Sequence, residues 1–278
     1  MLTKVCLVTG GTSGVGRGIA RALAESGAAV MLVSRDAGRG AAAAEALRRE
    51  TGNDRVEALV ADLSSMQSVR SLADAVREKH DSLHVLSNNA AFLSMARRLS
   101  PEGVESIFAT NYLGHFLLSN LLTDLLKAGA PSRILTVSGQ PGLIARAQPR
   151  FEGLGSAGVF SPLQATLRAA LAKVLFTFEI ARRLAGTGVT ANTFHPGLVR
   201  SGLPSQLPWF LRFPMRLGSV FLAGESATGR FLALSPEVEG VTGRCFSHGR
   251  VAAFEPSYDI DAAGRGLWEI SARLSGLS

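Results

Sequence analysis

An α/β domain built on a doubly wound parallel sheet with helices on both faces is expected from the order of hydrophobic patterns along these 278 residues. Three observations carry that expectation. Short β-branched apolar runs alternate with helix-length stretches from the start of the chain. The runs are apolar throughout instead of alternating with polar residues, which marks strands covered on both sides. The first run also passes through a glycine-rich turn directly into a helical pattern.

The elements follow in order. The first strand is "KVCLVT", residues 4–9, and "GVGRGIARALAESG", 14–27, is a helix whose apolar residues recur at three- and four-residue spacing and which closes on a Gly. "AVMLVS" is the second strand, "DAGRGAAAAEALRRE" the second helix, and "RVEALVA", "LHVLSN", "RILTVS" and "VTANTF" the later strands. Each is read as buried on both faces. Residues 161–188 form one long helix ahead of the last of these strands. Beyond Pro196 the pattern turns irregular, and the proline-broken apolar segment near 202–223 is read as a lid over a pocket, a surface for a membrane or partner, or an ordinary excursion packed on the core. A helix, a strand near "GRCFSHG" and a terminal helix, "AAGRGLWEISARLSGL", complete the chain. No linker divides it, so residues 1–278 are expected to form a single domain.

Composition narrows the partners. The net charge of +7 rests on arginine, because only Lys4, Lys79, Lys127 and Lys173 are lysines. The basic residues are dispersed among apolar ones, which argues against a nucleic-acid partner and for a solvated basic surface. The arginine bias points to a GC-rich bacterial source. Cys6 and Cys245 have neither the number nor the spacing of a metal site or disulfide framework. No apolar stretch has the length of a signal or membrane span, so a cytoplasmic protein is expected.

The glycine turn carries the first chemistry. In "GGTSGVG", Gly10, Gly14 and Gly16 allow a tight turn, a close approach of backbone to phosphate and close packing of helix on strand, with Thr12, Ser13 and Val15 completing the loop. At the end of the second strand, where an acidic residue would hold a free ribose 2′-hydroxyl, stand Ser34 and Arg35. A guanidinium there suits a 2′-phosphate, so the expected cofactor is NADP(H) rather than NAD(H).

Taken together, "TGGTSGVG", "ADL" at 61–63, "NNAA" at 88–91, "NYLGHFLL" at 111–118 and "HPGLV" at 195–199 resemble the short-chain dehydrogenase/reductase family. "KVLFTFEIARRLAGTGVTANTFHPG" and "VEGVTGRCFSHGRVA" resemble its retinol-dehydrogenase-like branch. The resemblance covers nearly the whole chain. It implies a Rossmann-type fold, Asp62 with Leu63 as the adenine contact, Asn89 and Ala90 along the adenosine, and Pro196 with Gly197 beside the nicotinamide. It also implies Asn111 as the family's catalytic asparagine, which bends a helix and holds a water. Ala91 stands where the family motif ends in Gly.

The resemblance further implies a Tyr as proton donor, a Lys four residues later on the same helix face that lowers the Tyr pKa and binds the ribose, and a Ser that polarises the substrate oxygen. Here the helix places Thr166 at the Tyr position and Ala170 at the Lys position. A shift of register does not restore them, since Tyr112 and Tyr258 are followed four residues later by Phe116 and Ala262. Ser138 precedes Gly139 where the second, catalytic serine is expected, so Ser138 is read as making a strand-end hydrogen bond. The candidate catalytic residues are thus Asn111, Ser138 and Thr166, and Thr166 is far too weak an acid to replace a phenol. Lys173 lies three residues past Ala170 and is read as hydrogen-bonded or solvated; His115 and His195 are read as structural, and Gln140 and Glu152 as neighbours of the substrate pocket.

Three functions follow as expectations. The first is an enzyme of bacterial small-molecule biosynthesis that acts on a bulky apolar substrate without the Tyr/Lys relay, as a cyclase, an isomerase or a reductase of an activated substrate such as an iminium ion. The second is a catalytically silent NADP(H)-binding sensor or partner protein, and the third an ordinary carbonyl reductase with a displaced acid. Pairing of copies through the two long helices is expected if the protein is an oligomer.

Overall fold

The computed structural model describes residues 4–154, 160–197 and 226–277. The segment near 202–223, read above as a lid, lies outside them. Eight strands form one sheet in the order β3-β2-β1-β4-β5-β6-β7-β8. They are β1 Val5–Thr9, β2 Ala29–Ser34, β3 Val56–Val60, β4 Val85–Asn88, β5 Ser132–Val137, β6 Val189–His195, β7 Arg244–Ser247 and β8 Arg250–Ala252. The first seven run parallel, while β8 pairs antiparallel to β7 through a tight turn and was not evident from the sequence. Two corrections concern burial: β3 is an edge strand, with Val60 58% exposed, so it is not covered on both sides, and β8 is a largely exposed edge.

Alternation along the strands assigns the two layers. Val5 and Leu7 of β1 with Met31 and Val33 of β2 enter one core, and Cys6 and Val8 with Val30 and Leu32 enter the other. The second core is closed by α1 (Gly14–Glu25), α2 (Ala37–Thr51) and α9 (Ala227–Leu234). The first is closed by α3 (Met66–Lys79), α5 (Gly114–Leu121), α8 (Pro162–Arg183) and the C-terminal α10 (Ile260–Ser275). Three shorter α-helices, α4 (Ser106–Phe108), α6 (Thr123–Ala128) and α7 (Pro141–Ile144), also lie among the described residues, and a turn of π-helix, Ala109–Leu113, joins α4 to α5. Caps fix the ends: Asp36 accepts from Arg39 N and Ser161 from Gln164 N, and α2 stops on Gly52 in the left-handed region.

The C-terminal helix clasps α5 and α8. Trp268 meets the Phe116 ring edge-on at 5.0 Å and stacks near Phe176, while the Arg183 guanidinium lies 4.0 Å above the indole. Ser271 gives its only hydroxyl hydrogen to Leu267 O, so the buried Tyr112 hydroxyl donates to Ser271 Oγ, at 2.7 Å. Part of the surface of α8, the altered helix expected to take part in pairing copies, is therefore covered by the chain's own last helix.

Trp268→Ala should lower the unfolding free energy by about 3 kcal/mol, and Tyr112→Phe by about 1 kcal/mol. Urea unfolding of the two variants checks this; equal, negligible effects would mean the clasp contributes little.

Candidate active site

Six strand ends converge where the sheet order reverses between β1 and β4, and the crevice outside their carboxyl ends is a cavity of about 740 Å³. Every residue singled out from the sequence as catalytic or cofactor-binding lines it. They arrive in turn along its length. The loop after β1 supplies Gly10, Thr12, Ser13, Gly14, Val15 and Gly16. Ser34 and Arg35 close β2, and Asp62 and Leu63 follow β3. Asn89 and Ala90 follow β4, Ser138 follows β5, and Pro196 with Gly197 follow β6; Asn111 and Thr166 come from helical segments.

The glycine loop is sterically committed. Gly10 has φ +62°, and a Cβ there would sit 2.8 Å from the Ala90 Cα; one on Gly16 would sit 2.5 Å from the Gly10 carbonyl oxygen. Helix α1 opens on this loop with Ser13 as N-cap, whose side chain makes no capping bond, and with no acidic residue in the first turn. Its free N–H groups and positive end can receive an anion. At the β2 end, Arg35 lies 6.0 Å from the centre of the Phe92 ring, and Arg39 from α2 joins it on the wall. Arg39 was not foreseen; the signal was its place in the first turn of the helix that begins beside Arg35. Asp36, the nearby carboxylate, accepts from Arg39 N at 2.7 Å and lies 3.9 Å from the Arg39 guanidinium, leaving Arg35 as the guanidinium without that counter-charge. The buried Asn89 Oδ1 has no partner among the described residues, while Asn89 Nδ2 donates to Ser87. A glycine cradle that a Cβ would fill, two arginines at one end and an orphaned acceptor in the wall fit a dinucleotide with a 2′-phosphate.

A buried network holds the β1 and β4 ends together. His115 Nδ1 lies 3.1 Å from the Asn111 carbonyl, which can only accept, so Nδ1 carries the proton. Burial first and the Lys173 charge second push His115 down to about 3, and the neutral ring therefore accepts at Nε2 from the Thr9 hydroxyl, 2.9 Å away. The same Thr9 oxygen accepts from Asn89 N at 2.9 Å and Ala90 N at 3.1 Å. This ties His115 to the cavity wall as a structural residue.

Among the described residues, the far end of the cavity carries neither a phenol nor a carboxyl group. The Asn111 side chain is consumed by Phe92, accepting from its N–H at 2.6 Å and donating to its carbonyl at 3.0 Å, at the π-helical bend expected for this asparagine. Thr166 Oγ1 donates to Pro162 O at 2.8 Å. Ser138 Oγ donates across to Ala170 O at 3.0 Å, so its side-chain bond is to α8 rather than along the strand. Ala169, Ala170 and Gly139 fill the same wall without functional groups. Gln140, Glu152 and His195 do not line this cavity. Glu152 borders a smaller recess with Arg97 and Arg168, and His195 is lowered by burial and by His248.

Lys173 is the exception. It is 7% exposed, lines the cavity, and donates from Nζ to Val137 O at 3.0 Å, so the solvated reading fails and the hydrogen-bonded one stands. Burial alone pushes it down to about 8.

A strand-reversal crevice with a glycine-rich helix start defines a Rossmann-type dinucleotide-binding protein. The family model described as "short chain dehydrogenase" matches residues 4–149. Mouse retinol dehydrogenase 13 (Mus musculus) is 38% identical over 286 residues, covering 99% of this chain and 84% of that protein. Human polyprenol dehydrogenase (Homo sapiens) is 35% identical, covering 99% of this chain and 86% of its own. Among solved structures, an uncharacterised protein from Mycobacterium paratuberculosis superposes with TM-score 0.73 at 28% identity, covering 98% of this chain and 93% of that one. The Pseudomonas aeruginosa RhlG/NADP active-site complex superposes with TM-score 0.66 at 25% identity, covering 88% and 94%. The chain belongs to the short-chain dehydrogenase/reductase family, in its retinol-dehydrogenase-like branch.

Lys173 gives the site a pH signature. Above pH 8 the folded chain releases a proton that the unfolded chain keeps up to its ordinary 10.5, so this group's contribution to stability rises with pH across that window. Cys6 and Cys245, both pushed up to about 12 by burial, act in the opposite sense above pH 9, so the difference between proteins is the cleaner measure. The stability of Lys173→Met relative to wild type should fall by on the order of 3 kcal/mol between pH 8 and 10.5. A difference that does not change with pH would mean the amine is solvated.

Proposed function

We propose that this chain is an NADP(H)-binding enzyme of bacterial small-molecule biosynthesis that acts on a bulky apolar substrate whose reaction needs no proton from the protein. One observation carries the reading: a single cavity joins a full dinucleotide cradle to a wall of Gly139, Thr166, Ala169 and Ala170. The retinol dehydrogenase and polyprenol dehydrogenase it is similar to are named for apolar alcohols, which supports an apolar substrate here. The nucleotide, when bound, supplies a hydride. The protein's part is to orient the substrate and exclude water, a contribution of several kcal/mol without any acid.

A positioned general acid is worth about 10²–10⁴ in rate, or roughly 3–5 kcal/mol of barrier. Carbonyl reduction needs that proton at oxygen. Hydride transfer to a preformed iminium ion does not, and neither does a cyclisation or isomerisation steered by the pocket. With NADPH, a cyclic iminium substrate should turn over at least about 100-fold faster than an aldehyde of matched carbon skeleton. Equal or faster turnover of the aldehyde overturns the reading. Installing Gly139→Ser, Thr166→Tyr and Ala170→Lys together should leave the iminium rate unimproved.

The cofactor preference has its own check. Arg35→Ala should weaken NADPH binding about 10- to 100-fold and leave NADH binding nearly unchanged, as read by calorimetric titration. Parallel losses for both nucleotides would remove Arg35 from the 2′-phosphate.

A second reading, a silent NADP(H)-binding sensor or partner, is favoured by the inward bonds of Ser138 and Thr166, whose only hydroxyl hydrogens go to helix carbonyls. Tight NADPH binding with no turnover of either substrate class would select it.

A further inference from the structure

We propose that Lys173 is a catalytic nucleophile whose amine forms an iminium with the carbonyl carbon of an apolar conjugated aldehyde, and that this covalent iminium interconverts the geometric isomers of the aldehyde. The inference rests on the reading of the cavity as a site for a bulky apolar substrate and asks nothing of the nucleotide. Residues 166, 169, 170 and 173 recur at three- and four-residue spacing, and all four line the cavity, so they form one face of α8. Thr166, Ala169 and Ala170 are short, and Gly139 on the same wall has no side chain, so little covers the amine where it meets the cavity. Nζ donates to Val137 O at 3.0 Å, which anchors the nitrogen and leaves its lone pair turned off the β5 carbonyl.

A lysine attacks a carbonyl only as the free base, and burial favours that form. It brings Lys173 down to about 8, so roughly a tenth of the amine is unprotonated at pH 7. Among the described residues no carboxylate pairs with it, and His115, the titratable group on α5 that feels its charge, is neutral. The other lysines, Lys4, Lys79 and Lys127, are exposed. The step balances without an acid from the protein. The Nζ lone pair bonds to the carbonyl carbon, the C–O bond breaks, and the oxygen leaves as water. Counted from the ammonium, both hydrogens of that water come from the nitrogen, and the proton given up to solvent before attack returns as the oxygen leaves. The positive charge therefore stays on nitrogen, and neither oxidant nor reductant is used. In the iminium the conjugated C=C loses double-bond character to the positive nitrogen, so the chain turns about it. Addition of water then returns the amine and the isomerised aldehyde.

The test supplies geranial, a branched apolar enal, to the full chain without NADPH, whose hydride would reduce the iminium. Cyanoborohydride should trap a secondary amine that peptide mapping places on Lys173, and chromatography should show neral, the other geometric isomer, forming faster than without protein. Lys173→Met and Lys173→Arg should lose both signals. Arginine keeps a cation and its donors but offers no nucleophilic amine, so it rescues a lysine whose role is structural or electrostatic and not one that forms the adduct. The wild-type peptide map stands whether or not the variants fold. Labelling confined to the exposed lysines, or isomerisation that persists in either variant, overturns the inference. Calorimetric titration with geraniol, the alcohol of the same skeleton, reads separately whether the cavity accepts the chain. Geraniol binding without a trapped Lys173 overturns the inference and leaves the apolar reading standing, whereas neither binding nor labelling overturns both.

Discussion

The approach of the loop after β1 to the end of β4 is the contact on which the rest of this structure depends. Here the sheet order reverses and a crevice must open, yet two backbones meet closely enough that Gly10 tolerates no Cβ against Ala90. The Thr9 hydroxyl joins them, taking the N–H groups of Asn89 and Ala90 and giving its own hydrogen to His115. His115 in turn holds the carbonyl of Asn111, so one side chain couples the nucleotide loop to the π-helical turn at the far end of the cavity. Such a network is stabilising only when every member is satisfied. Neutral His115 meets that condition, because a second ring proton would have no acceptor at Thr9.

Helix α8 obeys two constraints that separate cleanly around its circumference. Toward the core, Leu171, Leu175, Phe176 and Ile180 are fully buried, and Phe176 joins the aromatic cluster closed by Trp268. Toward the cavity, the face is Thr166, Ala169, Ala170 and Lys173. The first face is set by packing, which leaves the second free to change chemistry without loss of the fold. That separation is why a family fold with a complete cradle can coexist with a reaction wall that holds no phenol.

Legibility in the sequence followed the same division. Strand positions, the glycine turn and Arg35 were readable because each rests on local rules: unbroken apolar runs, residues that must permit φ above zero, and charge at a strand end. β8 was not, because three half-exposed residues after a turn leave no pattern. The exposed edge at β3 was missed for another reason: its apolar run looks like a buried strand, and only the sheet order reveals that it has one neighbour. Hydroxyl directions were also hidden. Ser138 and Thr166 occupy the expected wall, but whether a hydroxyl faces a substrate or a helix carbonyl depends on partners far along the chain, such as Ala170 for Ser138.

Lys173 shows most directly how position and chemistry come apart. By spacing it is merely one turn beyond an alanine, and a lysine on a helix is usually solvated. Its environment is set by β5, which supplies one carbonyl, and by neutral His115, and neither supplies a counter-charge. Folding therefore desolvates this amine with little return inside the protein, and that opposes stability at neutral pH. The same burial that weakens the fold thus fixes the amine at the cavity wall, where the short Ala169 and Ala170 side chains leave it uncovered.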